Sequence, residues 1–83
     1  MPRREAEYRT LLKLREKVLG SEHPDTLKTC SNLAVCLRSE GQTQEATALA
    51  QRAADGARKV LGPEHPETKK YEQLLQELLA KEG

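Results

Sequence analysis

An all-α stack of antiparallel helix pairs is predicted by three observations on the 83-residue sequence. A ten-residue segment occurs twice, four windows carry helical apolar spacing, and the intervening stretches read as helix-to-helix corners. The repeated segment is Lys17-Val18-Leu19-Gly20-Ser21-Glu22-His23-Pro24-Asp25-Thr26, which returns as Lys59-Val60-Leu61-Gly62-Pro63-Glu64-His65-Pro66-Glu67-Thr68. His23 and His65 lie 42 residues apart, a period inside the range of helical repeat arrays.

Each copy of the segment is punctuation. A glycine ends one helix in the left-handed conformation, and a proline soon afterwards occupies the first turn of the next, where its missing N–H costs nothing. Asp25 and Glu67 follow in that first turn, where a carboxylate complements the positive end of the helix dipole. Midway between the copies, Ser39 to Glu45 forms a second kind of corner, with Gly41 as the stop and Thr43 as the N-cap. Four helices follow from this punctuation, near 3–19, 24–40, 43–60 and 66–82. Short connections make consecutive helices antiparallel neighbours.

The first helix carries Tyr8, Leu11, Leu12, Val18 and Leu19 as its apolar stripe. The second carries Leu27, Cys30, Leu33, Ala34 and Leu37 at helical spacing. The third presents Ala46, Ala50, Ala53 and Ala57, a narrow ridge of small residues that lets a neighbouring helix come close. In the fourth, Tyr71, Leu74, Leu75, Leu78 and Leu79 share one face and the other sides are charged. Its Glu72 and Gln76 stand 42 residues after Cys30 and Ala34, so two inward positions of the complete repeat turn polar at the end, as a capping helix requires.

Composition bounds the rest. Apolar residues make up 36% of the chain, charged ones 33%, and the aromatics are two tyrosines, so one thin core of Leu, Ala and Val is all the chain can build. The net charge of +1, with both signs interspersed and no basic stripe, argues against a nucleic-acid partner. No apolar run approaches a bilayer span and the Met-Pro-Arg-Arg start lacks a signal-peptide core, so the chain is read as intracellular. Cys30 and Cys36 fall about 120° apart around a helix, cannot face one another as a disulfide or metal pair, and are expected as small buried residues of a reducing compartment.

Catalysis is not expected. Neither histidine is tied to a nucleophile in a hydrolase pattern, the glycines are isolated at helix ends and form no phosphate loop, and histidines one repeat apart cannot share an ion. Both are read as residues that cap or pack their turns. The first helix is net +3, through Arg3, Arg4, Arg9, Lys13, Arg15 and Lys17 against Glu5, Glu7 and Glu16, while residues 66–83 come to −1. A solvated face laced with exposed ion pairs accounts for that more simply than head-to-tail pairing of modules.

Asn32-Leu33-Ala34, Gly41, Glu45-Ala46, Ala53, Lys59-Val60-Leu61-Gly62 and Glu64-His65-Pro66 occur in an order that resembles the tetratricopeptide repeat, specifically the 42-residue variety of kinesin light chains and nephrocystin-type proteins. The pattern departs at Leu49-Ala50, where that family usually has a large residue, and at Gln76, where it has a small one. The resemblance implies a right-handed superhelical solenoid segment. Residues 1–20 would be a half repeat, 21–62 a complete repeat, and 63–83 a half repeat that caps the C-terminal end.

It also implies a protein-interaction module, an adaptor or scaffold of the cytoplasm and its cytoskeleton, with a protein or peptide partner and no cofactor, metal, nucleic acid or membrane. The face of the second helix turned toward a ligand carries Lys28, Ser31, Asn32, Val35, Arg38 and Ser39, and that of the last helix Lys70, Gln73 and Glu77. By the resemblance, Asn32 hydrogen-bonds the backbone of an extended peptide, with Lys28 and Arg38 available for its carboxylates. Leu74 stands in the place of the Asn32 amide, leaving the second half of the groove either apolar or closed by the core. The stripe Tyr8, Leu11 and Leu12 lacks the cover of a first half repeat, so the chain is either a piece of a longer array or self-associates there. A structural cap that contacts no ligand is the alternative to peptide binding.

Overall fold

A computed structural model describes residues 4–82, and Arg3, the expected first residue of the first helix, lies outside that range. Four helices follow in order: α1 Arg4–Leu19, α2 Pro24–Ser39, α3 Thr43–Val60 and α4 Pro66–Glu82. There is no strand among the described residues. Each helix packs on the next in sequence, α1 on α2, α2 on α3 and α3 on α4, giving a slab of 33 × 32 × 16 Å.

The corners form for local reasons. Gly20 and Gly62 adopt φ of 99° and 95°, the left-handed region open to glycine, and their N–H groups reach back to the Glu16 carbonyl at 3.1 Å and the Ala57 carbonyl at 3.1 Å. Three residues on, each histidine accepts a backbone N–H at Nδ1, from Asp25 at 3.1 Å and from Glu67 at 3.1 Å. His23 and His65 are thus N-caps of α2 and α4, with the ring doing what Ser or Asp usually does. Thr26, fully buried, donates its hydroxyl to the Gly20 carbonyl at 2.8 Å and locks the corner to the helix it opens.

The middle corner differs from expectation by one residue. Gln42, not Thr43, sits at the N-cap, with no side-chain capping bond, and Thr43 is already helical. The Gln42 N–H returns to the Leu37 carbonyl at 2.9 Å and the Ala46 N–H takes the Gln42 carbonyl at 3.1 Å, so the backbone turn itself starts α3 a residue early.

The core lies along α2 and α3. Leu27, Cys30, Leu33, Ala34 and Leu37 from α2 meet Ala46, Ala50, Ala53, Ala54 and Ala57 from α3, closed by Leu12, Tyr71, Leu74 and Leu78 from the outer helices. The alanine ridge brings α2 close enough that a Cβ on Gly56 would lie 2.5 Å from Leu27 Cδ2. The stripes of the two outer helices are only partly covered. Val18 is 69% exposed and Leu79 49%, and Leu19 also faces solvent, because an end helix has a neighbour on one side only. Cys36 is likewise half-buried rather than buried, standing to one side of the α2 stripe.

Ion pairs span the helices at the slab surface. Arg9 grips Glu45 with both guanidinium nitrogens, at 2.6 and 2.9 Å, and also holds Glu5 at 2.8 Å. Arg52 pairs with Glu16, Arg58 with Glu72, and Arg15 with Asp25 at 3.3 Å. Part of the positive charge of α1 is therefore matched inside the chain, as the exposed-pair reading expects.

Candidate functional site

The first helices of the two successive repeats, α2 and α4, lie side by side in front of α3 and leave a cleft of about 280 Å³ between them. The α2 wall is Lys28, Ser31, Asn32 and Val35, spaced at i, i+3, i+4 and i+7 and hence on one face. The α4 wall is Glu67, Lys70, Tyr71, Gln73, Leu74 and Glu77. A shift of 42 residues carries Lys28, Ser31, Asn32 and Val35 onto Lys70, Gln73, Leu74 and Glu77, so the same turns of two repeats face the cleft.

Seven of the nine residues assigned to this face from sequence line it: Lys28, Ser31, Asn32, Val35, Lys70, Gln73 and Glu77. The other two do not. Arg38 turns across to Glu77, Nη1 to Oε1 3.1 Å, and closes one end of the cleft as an ion pair rather than presenting a free guanidinium. Ser39 is the exposed last residue of α2 and lies off the cleft. Three lining residues lie beyond the assigned set. Tyr71 and Leu74 are buried, at 3% and 9% exposure, and form an apolar floor with Val35. Glu67 was assigned only to the start of its helix, but its carboxylate accepts the Tyr71 hydroxyl at 3.2 Å at the cleft wall. The signal for Tyr71 was its size: it stands where the complete repeat has Thr29, and a longer side chain there reaches the groove.

The two ends of the cleft differ electrostatically. Lys28 and Lys70 make no ion pair among the described residues, whereas Glu77 is neutralised by Arg38. Asn32 is exposed and Ser31 half-buried, and the amides of Asn32 and Gln73 are exposed beside the apolar floor. Burial, with the neighbouring Glu67 carboxylate, pushes the Tyr71 phenol well above its ordinary value, so it stays neutral and acts as a donor. Burial likewise raises the Cys30 and Cys36 thiols, the opposite of what a nucleophilic cysteine needs. Among the described residues no group of His, Cys, Asp and Glu is arranged to hold a metal ion, and no helix is long and apolar enough to cross a membrane. The site has the chemistry of recognition: donors, acceptors, two cations and a floor of side-chain carbon.

The residues assigned to self-association fall elsewhere. Leu12 is 8% exposed and belongs to the core, and Tyr8 packs half-buried against it, because α2 lies on that side of α1. Leu11 is half-buried at the edge of a different apolar stripe, Leu14 and Val18, which faces solvent.

Residues 26–67, half of the chain, match the family model described as a tetratricopeptide repeat. The match begins in the first turn of α2, runs through α3 and ends in the first turn of α4. No curated protein matches the chain.

Proposed function

On the premise that the chain belongs to the tetratricopeptide repeat family, we propose that it is a protein-interaction module, an adaptor or scaffold segment without catalytic activity, that takes an extended peptide of a partner protein in the cleft between α2 and α4. The observation that carries this reading is the cleft itself, an apolar floor of Val35, Tyr71 and Leu74 rimmed by the exposed amides of Asn32 and Gln73 and by two lysines without an ion-pair partner. An extended backbone presents unpaired N–H and C=O groups at regular intervals, which carboxamides satisfy in pairs. Its alternate side chains find the apolar floor, and an acidic side chain finds Lys28 or Lys70. The likeness to the kinesin light chain type of repeat supports the assignment of Asn32 to the peptide backbone. The same reading places the module in the cytoplasm, where two thiols on one helix remain reduced.

A second reading rests on a specific observation at the far side of α4. Glu72 pairs with Arg58 and Gln76 faces solvent, at positions where the complete repeat has buried Cys30 and Ala34. That polar outer face suits residues 63–83 as the cap of a repeat array, and capping does not compete with the cleft on the other side.

Selection of displayed random peptides against the 83-residue chain tests the binding reading. Bound peptides are expected to lose about tenfold in affinity to Asn32→Ala, the worth of roughly one satisfied hydrogen-bond pair, and a similar amount to Lys28→Ala with Lys70→Ala if they are acidic. All three residues are exposed, so far-ultraviolet circular dichroism should not change. Peptides that bind these variants as well as the parent would refute the cleft as the site and leave the cap reading.

A further inference from the structure

The exposed stripe on α1 points to a second copy of this chain. Leu14 is 56% exposed and Val18 69%, with Leu11 half-buried beside them. A shift of 42 residues carries Leu11, Leu14 and Val18 onto Ala53, Gly56 and Val60 of α3, and Gly56 is where α3 receives Leu27 of α2. The α1 stripe is therefore the face on which a second helix of a repeat meets its own first helix.

A helix docked there in the manner of α2 on α3 does not fit. The α2–α3 seam is so close that even one carbon on Gly56 would come within 2.5 Å of Leu27, and α1 has a whole leucine at the matching position. The occupant must stand further off and meet Leu14 with apolar side chains of its own. Positions 4, 7, 11, 14 and 18 alternate spacings of three and four, the seam of a coiled coil, which sets helices at that larger distance.

We propose that α1 pairs with α1 of a second copy in antiparallel orientation across a two-fold axis between Leu11 and Leu14. Leu11 of each chain then faces Leu14 of the other, and Val18 lies level with the Glu7 stem. Charge selects the orientation. Glu7 and Lys17 are exposed and make no ion pair among the described residues. The antiparallel pair brings Glu7 of each chain beside Lys17 of the other, twice, whereas a parallel pair stacks Glu7 on Glu7 and Lys17 on Lys17. The contact involves neither wall of the α2–α4 cleft, so a dimer presents two clefts to its partners.

Sedimentation equilibrium of the 83-residue chain, run to about 1 mM because so short a seam is of the transient kind, tests the dimer. A monomer–dimer equilibrium is expected. Leu14→Glu should render the chain monomeric at unchanged helicity. Glu7→Lys and Lys17→Glu should each weaken the dimer about fivefold, and the two together should restore it, since the swap rebuilds both pairs with reversed sign. A chain monomeric throughout, an open series of higher oligomers, a dimer indifferent to Leu14→Glu, or a double charge variant no better than either single one would each overturn the proposal.

Discussion

Gly56→Ala tests how closely α2 and α3 are fitted. At an ordinary helix interior the change stabilises by about 1 kcal/mol, because alanine loses less backbone entropy. Here the new Cβ would lie 2.5 Å from Leu27 Cδ2, 3.3 Å from Cδ1 and 3.4 Å from Cγ. Leu27 is 1% exposed, so its side chain has no solvent to swing into and must press on the rest of the core. Overpacking of this kind costs about 1–3 kcal/mol, which outweighs the propensity gain and leaves a net loss of about 1 kcal/mol. For a chain of this size that lowers Tm by about 4–8 °C. Leu27→Val alone should cost about 1 kcal/mol by opening space at the same spot. In that background Gly56→Ala should become stabilising, giving a favourable coupling of about 2 kcal/mol in a double-mutant cycle read by urea denaturation and circular dichroism. A Gly56→Ala variant more stable than the parent, or a coupling near zero, would refute the close seam and with it the reason α1 cannot accept a helix in the same way.

Three other perturbations have definite signs. Burial and Glu67 raise the Tyr71 phenol above its unfolded value near 10, so its contribution is present below that pH and declines as pH rises beyond it. Alkaline denaturation midpoints should show the parent losing stability above about pH 10, with Tyr71→Phe markedly flatter. The hydrogen bonds from Arg9 hold the Glu45 carboxyl below its ordinary value, so its contribution is present above the unfolded carboxylate value near 4.3 and is lost as pH falls. Glu45→Gln should therefore reduce the acid-side slope of a stability profile, by no more than about 0.5 kcal/mol at so exposed a site. Finally, His23→Ala and His65→Ala each leave a first-turn N–H without its acceptor and should lower the urea midpoint by the equivalent of about 1 kcal/mol apiece, while Asp in either place should retain most of the stability.

What the sequence determined by itself is the part of the fold whose causes lie within a few residues. Gly20 and Gly62 stop a helix, Pro24 and Pro66 start the next, and each histidine caps it through the N–H two residues on. None of these depends on a distant neighbour, and the four helices stand within a residue or two of where the punctuation sets them. The spacing of Lys28, Ser31, Asn32 and Val35 likewise fixes a shared helix face before any packing is known. The tertiary structure alone decided how far each side chain is covered and which charges meet. Leu12 and Leu14 are equally apolar, and only the side on which α2 lies makes one core and the other surface. Arg38 reads as a free cation until α4 sets Glu77 beside it, 39 residues away in sequence. Tyr71 reads as core until α2 stops short of it and leaves its ring as the floor of a cleft. Burial and ion pairing are sums over neighbours brought together by folding, and a repeat period says that such neighbours recur without saying how closely each pair of helices will approach.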